Sequence, residues 1–234
     1  MSSQRCRACG LSNPEFLFQI GDNRVARCQG CTHVFLETFE NGANNLCSER
    51  IDQEVISHLD DYLRTCREHC KTGSRALRLL AIGCRSEALL SRAKEQGFVT
   101  DNIETPLSES RLSPEKFDVI TMYDLVEHLQ DPIQDLRRVQ FWLKPGGVLF
   151  VLTPNEEALP RRVARLAFRL SFRRIQRPLS TLYYAHHLSY FTARSLRSLF
   201  EGTGFDTVRT LTRNQAMGRS GSGGKLLAWA RRRA

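Results

Sequence analysis

The sequence predicts an open α/β sheet with helices on both faces, preceded by a small cysteine-rich module, and three stretches carry that prediction. From Phe117 to Met122 a short apolar run leads to Asp124, a polar helical segment closes on Lys144-Pro145-Gly146-Gly147, and a second apolar run follows from Val148 to Leu152. Strand, helix, Gly turn, strand is the order of a mostly parallel sheet, which holds its ligands beyond the carboxyl ends of its strands. Leu77 to Gly83 is another apolar run, leading through a glycine into a helix over Ser86 to Gln96, as the opening βα unit of a nucleotide-binding sheet does. The third stretch is Cys6-x-x-Cys9 and, 18 residues later, Cys28-x-x-Cys31.

The paired cysteines predict a structural zinc ribbon over residues 1–45. Their spacing lets two thiolate knuckles complete a tetrahedron around one ion, which leaves no open coordination position for catalysis. Four buried, unligated cysteines are the alternative. Phe16 to Ile20 and Arg24 to Arg27 form a short hairpin between the knuckles, and Cys47, Cys66, Cys70 and Cys84 read as ordinary thiols. Ile51, Val55, Leu59, Tyr62 and Leu63 recur at helical spacing, so residues 46–72 read as a linking helix and residues 73–234 as the sheet domain.

Composition bounds the function classes. A chain of 234 residues, 41% hydrophobic, holds one full domain plus a small appendage. No apolar run approaches the roughly 20 residues of a membrane span, and MSSQRCRACG lacks the apolar core of a secretory signal. A cytoplasmic protein is expected. The formal charge of +9 predicts attraction to an anionic partner. Nucleic acid is disfavoured, because the Lys/Arg-aromatic interleaving of an RNA platform is missing.

The segment Asp124-Leu125-Val126-Glu127-His128-Leu129 resembles the D-x-L-E-H-L segment of class I S-adenosylmethionine (SAM) methyltransferases, of the type 11/23 kind. Thr153-Pro154-Asn155 closes the fifth strand as that family does, and Tyr184 to Thr192 resembles its P-x-H-L-x-Y-F-T segment, with His187 the matching histidine and His186 extra. The resemblance implies a Rossmann-like methyltransferase sheet, with Phe205 to Leu211 and Leu226 to Ala230 as the last strands after a helix over Ala193 to Thr203. It also implies a SAM site across Gly83 reaching Asp124. Glu127 and His128 would then serve as acid/base or seat a divalent ion, as in related quinone O-methyltransferases. Capping or packing a helix start is the alternative. His128 or His187 would take the acceptor proton.

The glycine-rich motif departs from the family. Gly83 matches its first glycine, but Ala81 stands where an acid belongs, and Arg85 and Glu87 stand where later glycines belong. Only 34 residues separate Gly83 from Asp118, too few for two further strands and two helices at ordinary lengths. The segment FVTDNIETPL resembles the third strand, which leaves the second strand, with its ribose-binding acid, deleted. Asp101, Asn102 or Glu104 would have to substitute, and Asp101 is the expected cofactor residue.

Residues 160–177 predict a basic amphipathic cap helix. Arg161, Arg165, Arg169, Arg173 and Arg177 recur every four residues beside Arg162 and Arg174, opposite an apolar stripe of Val163, Leu166, Ala167 and Leu170. Such a helix suits a phosphate-bearing small-molecule acceptor or an anionic membrane surface, with a solvated charged face as the alternative. Two function classes follow: a SAM-dependent methyltransferase of a small molecule or sugar-type acceptor, or a methyltransferase-fold binding or scaffold protein that has lost turnover.

Overall fold

The computed structural model describes residues 5–37, 63–64, 66–68, 76–83, 87–104, 106–171, 177–183, 187–212 and 224–233. Cys47, Cys70, Cys84, Arg85, Arg173, Arg174 and His186 lie outside them, as does most of the expected linking helix. Of that helix, residues 63–64 and 66–68 are helical, with Leu63 and Cys66 buried in an apolar cluster with Leu79, Ala93 and Phe98.

Among the described residues ten strands form two sheets. The first strands are β1 (Glu15–Ile20), β2 (Asn23–Arg27) and β3 (Val34–Leu36). The expected hairpin is β1–β2, turning through Gly21 and Asp22. The main sheet contains β4 (Arg78–Ile82), β5 (Val99–Ile103), β6 (Phe117–Tyr123) and β7 (Leu143–Pro154). After β8 (Ser189–Tyr190) it is completed by β9 (Phe205–Thr212) and β10 (Lys225–Arg232). Its order is β5-β4-β6-β7-β10-β9: β5, β4, β6 and β7 run parallel, and β10 pairs antiparallel with both β7 and β9.

The strand read as the third lies directly against β4. In a sheet of order 3-2-1-4-5 that is the position of strand 2, and β5 is the edge. The short spacing therefore removes the outer strand among the described residues, not the inner one. Sequence spacing counts missing elements but does not say where the survivor pairs.

The Lys144-Pro145-Gly146-Gly147 segment is likewise not a separate turn. It lies within β7 as an irregularity against β6, where Phe117 pairs with Leu143 and Val119 with Val148. A Cβ on Gly147 would stand 2.8 Å from the Lys144 carbonyl oxygen, so only glycine fits there. Lys144 meanwhile donates to buried Asp118 at 2.9 Å, and Asp118 also accepts from the Arg78 amide.

Helices cover the sheet: α1 (Glu87–Glu95), α2 (Pro132–Trp142), α3 (Leu159–Leu170), α4 (Arg177–Leu182) and α5 (Ala193–Gly202). Asp131 caps α2, accepting from the Gln134 amide, and Pro132 fills its first turn. Thr192 and Ser195 form a capping box on α5.

The expected ribbon and sheet domain share a sheet. β8, from the C-terminal half, is the fourth strand of the N-terminal sheet, in the order β1-β2-β3-β8. Cys6, Cys28 and Cys31 belong to the same buried apolar cluster as Leu125, Val126, Phe191 and Leu199.

Candidate active site and metal centres

The carboxyl ends of the parallel strands define one edge. β4 ends at Gly83, whose φ of +121° strains any residue with a Cβ. Its amide donates to the Ile103 carbonyl at the end of β5, at 2.9 Å. β6 ends at Asp124, which holds a φ of +45° and donates its amide to Leu152. A Cβ on Gly83 would lie 4.0 Å from Leu125, so the two turns adjoin. Gly83 and Asp124 thus sit on neighbouring turns.

Asp101 is not at that edge. It lies two residues before the end of β5 and pairs with Arg78 at 3.3 Å and Lys116 at 3.1 Å, residues from the amino-terminal ends of their strands. Desolvation raises its carboxyl, but the two cations together outweigh that and hold it below the usual range. The acid that leaves β5 at the carboxyl edge is Glu104, which is exposed and stands next to Ile103, the partner of Ile82. The sequence contains both acids, and only the parallel register chooses between them.

Lys225, absent from the sequence reading, enters the site from the start of β10. Its ammonium pairs with the Asp124 carboxylate and sits 5.3 Å from the centroid of the Tyr123 ring. Asp124 therefore meets any ligand as half of an ion pair.

Beyond Asp124 a short 3-10 turn (Val126–His128) presents Glu127 and His128. His187 comes from the segment before β8, and its ring stands 4.7 Å from that of His128, edge to face. One ligand atom from each of Glu127, His128 and His187 lies within 4.8 Å of the others. Two imidazoles and a carboxylate are a donor set for a divalent cation. Glu127 is buried, accepts from Thr153 Oγ1 at 2.8 Å, and among the described residues has no partner on Oε1. Burial, with Asp124 nearby, pushes its carboxyl up to about 8.

A pH dependence follows. A carboxyl raised in the folded state holds its proton there while the unfolded chain has lost it, so stability falls as pH rises from about 4.5 to about 8. With chelator present, Glu127→Gln should therefore gain stability over the parent between pH 5 and pH 8, read by urea unfolding. A constant difference across that window would refute a neutral, buried Glu127.

The four N-terminal cysteines converge. The Cys6 and Cys31 sulfurs are 3.6 Å apart, those of Cys9 and Cys28 are 3.5 Å apart, and all four lie within 4.8 Å of one another. Zn–S bonds of about 2.3 Å place the sulfurs of a tetrahedron about 3.8 Å apart, so the set fits zinc. The Ala8 amide points at Cys6 Sγ at 3.4 Å, and the neighbouring Cys31 thiol holds Cys6 down to about 5.

Two arginines of the basic helix face inward, unlike a uniformly solvated charged face. Arg161 is buried and donates to the Asn155 and Leu182 carbonyls, with Tyr190 5.2 Å from its guanidinium. Arg165 pairs with buried Glu156 and donates to the Tyr183 hydroxyl, which itself donates to Glu156 at 2.6 Å. Of the apolar stripe, Val163, Leu166 and Leu170 face solvent, 55%, 56% and 72% exposed, beside Leu159 at 60%, while Ala167 is half-buried.

Residues 48–210 match the family model described as a methyltransferase domain. Ubiquinone biosynthesis O-methyltransferases from Histophilus somni and Marinobacter nauticus are similar over 68 and 76 residues, at 43% and 40% identity. These spans cover 27% and 30% of this chain but only 29% and 32% of those relatives. In three dimensions the chain is similar to the 1,6-didemethyltoxoflavin-N1-methyltransferase of Burkholderia thailandensis, solved with S-adenosylhomocysteine bound. The TM-score is 0.53 at 13% identity, covering 94% of this chain and 100% of that one, a likeness of fold.

Proposed function

The chain belongs to the methyltransferase-domain family, and from that premise we propose that it transfers the methyl group of SAM to a hydroxyl of a small-molecule or sugar-type acceptor held beside a divalent cation. The observation that carries this reading is the Glu127–His128–His187 cluster, which begins three residues beyond Asp124 at the edge that Gly83 shares. Gly83 would leave backbone room for the cofactor, and Glu104, the acid that leaves β5 at that edge, would hold its ribose hydroxyls. When bound, SAM would supply an electrophilic methyl to the acceptor oxygen, with S-adenosylhomocysteine as the leaving product. His128 or His187 takes the hydroxyl proton, since an imidazole titrates near neutral pH. Glu127 and the second histidine would hold a divalent cation, which would supply Lewis-acid activation of the hydroxyl. Alignment of acceptor and methyl supplies much of the remaining barrier reduction. Zinc at Cys6, Cys9, Cys28 and Cys31 is structural in this reading.

Two adjacent oxygens chelate a cation, so an ortho-dihydroxyphenyl compound is a suitable probe. Labelled methyl transfer to it should need Mg2+ or Mn2+ and should fall about a hundredfold or more in His128→Ala and His187→Ala. If SAM binds but transfer is absent, or both variants keep full rate, the enzyme reading fails. The Lys225–Asp124 pair and the short sheet would then favour the scaffold reading.

The outward stripe of α3 supports peripheral contact with an anionic bilayer. Leu159, Val163, Leu166 and Leu170 would enter the headgroup boundary, and exposed Arg162 and Arg169 flank them. Among the described residues no helix is long and apolar enough to cross a membrane. With Arg161 and Arg165 turned inward, fewer cations remain for a phosphate-bearing acceptor than the sequence suggests. Val163→Asp/Leu166→Asp should abolish cosedimentation with vesicles containing anionic phospholipid. Arg162→Gln/Arg169→Gln should weaken it about thirtyfold, at about 1 kcal/mol per arginine. Unchanged binding by both variants would show α3 to be an ordinary solvent face.

A further inference from the structure

We propose that the N-terminal cysteine module positions the acceptor site, with strand β3 as the part that sets the place of His187. This rests on the reading of Glu127, His128 and His187 as a cation site. The connection runs through backbone. Cys28 donates its amide to the His33 carbonyl, and Thr32 donates to Cys28, closing the second knuckle directly onto β3. β3 then pairs with β8, Val34 opposite Tyr190 and Phe35 opposite Ser189.

At the end of that ladder Leu188 bridges the two halves of the molecule. Its carbonyl accepts from the Leu36 amide at 3.1 Å, while its own amide donates to the Glu127 carbonyl at 2.9 Å. Leu188 is the neighbour of His187, and Glu127 is the neighbour of His128. One residue thus ties the knuckle strand to both sides of the candidate cation site. Two further contacts hold the same seam. Thr32 Oγ1 lies 2.9 Å from Thr192 Oγ1, and the buried His33 ring packs 4.6 Å from that of Phe191.

At the cofactor end the Gly83 and Asp124 amides donate to Ile103 and Leu152 within the main sheet, and among the described residues that end shares apolar packing around Leu125 with the cysteines but no backbone hydrogen bond. The module should therefore govern the acceptor half of the cleft and leave cofactor binding alone. Thr32 and Leu36 are positioning residues in this scheme, acting on His187 through β8.

The test uses the full chain in three forms: parent, Cys28→Ser/Cys31→Ser, and Leu36→Pro, which removes the amide that donates to the Leu188 carbonyl. Stoichiometric zinc in Leu36→Pro reports that its module stays folded. Mn2+ affinity is read by electron paramagnetic resonance, S-adenosylhomocysteine affinity by calorimetry, and the Leu188 amide by hydrogen exchange. Both variants should bind Mn2+ about tenfold or more weakly, bind S-adenosylhomocysteine within about twofold of the parent, and exchange the Leu188 amide faster. Zinc-replete Leu36→Pro with parental Mn2+ affinity and parental exchange overturns the proposal. If the parent binds no Mn2+, the cation reading fails, and exchange at Leu188 alone decides whether β3 positions His187.

Discussion

Arg165→Met is expected to destabilise the protein by about 3 kcal/mol, because it strips the closest cation from a carboxylate that has no solvent to turn to. Glu156 is fully buried and is served by Arg165, by the Tyr183 hydroxyl, and by Arg161 at 3.8 Å. Removing one partner of a buried pair costs about 3–5 kcal/mol, since the other charge stays desolvated. The lower end applies because Arg161 remains. For a chain of this size that is a fall in Tm of roughly 6–12 °C. Arg165→Met/Glu156→Gln should recover most of the loss, and that non-additivity identifies the pair. Equal melting of Arg165→Met and parent would show that α3 is not anchored through Glu156.

Cys9→Ser/Cys28→Ser should remove zinc entirely and melt β1, β2 and β3. A thiolate site supplies folding free energy to a unit too small to hold itself with apolar burial. The damage should spread further than in a detached ribbon. Cys6, Cys28 and Cys31 share an apolar cluster with Phe191 and Leu199, so the main domain should melt earlier too. Elemental analysis and hydrogen exchange across residues 15–36 provide the check. Retained zinc, or native protection without it, would contradict the four-cysteine site.

Elements with strong local signals were legible in the sequence. The apolar runs became β4, β6 and β7, the polar run with its Asp-Pro start became α2, and the cysteine knuckles converged as their spacing required. What was not legible depended on partners distant in sequence. Arginine at every fourth position looks the same whether the face meets water or meets Glu156, so the inward turn of Arg161 and Arg165 could be read only from Glu156 and Tyr183. Asp101 and Glu104 are equally acidic, and the pairing of Ile82 with Ile103 alone places Glu104 at the cleft edge. Lys225 lies 101 residues from Asp124, beyond any local pattern. The union of β3 with β8 joins segments from opposite ends of the chain, so no spacing rule announces it.

Calorimetric titration with S-adenosylhomocysteine of parent, Glu104→Ala and Asp101→Ala tests the central claim, that a methyltransferase cofactor site survives at the carboxyl edge of a shortened sheet. The parent should bind saturably, but about ten- to a hundredfold more weakly than a glycine-rich site would allow, since Arg85 and Glu87 replace glycines of the motif. Glu104→Ala should lose about a further tenfold, the worth of a charged hydrogen bond to the ribose, and Asp101→Ala should match the parent. No saturable binding by the parent, or loss in Asp101→Ala with none in Glu104→Ala, would contradict the account.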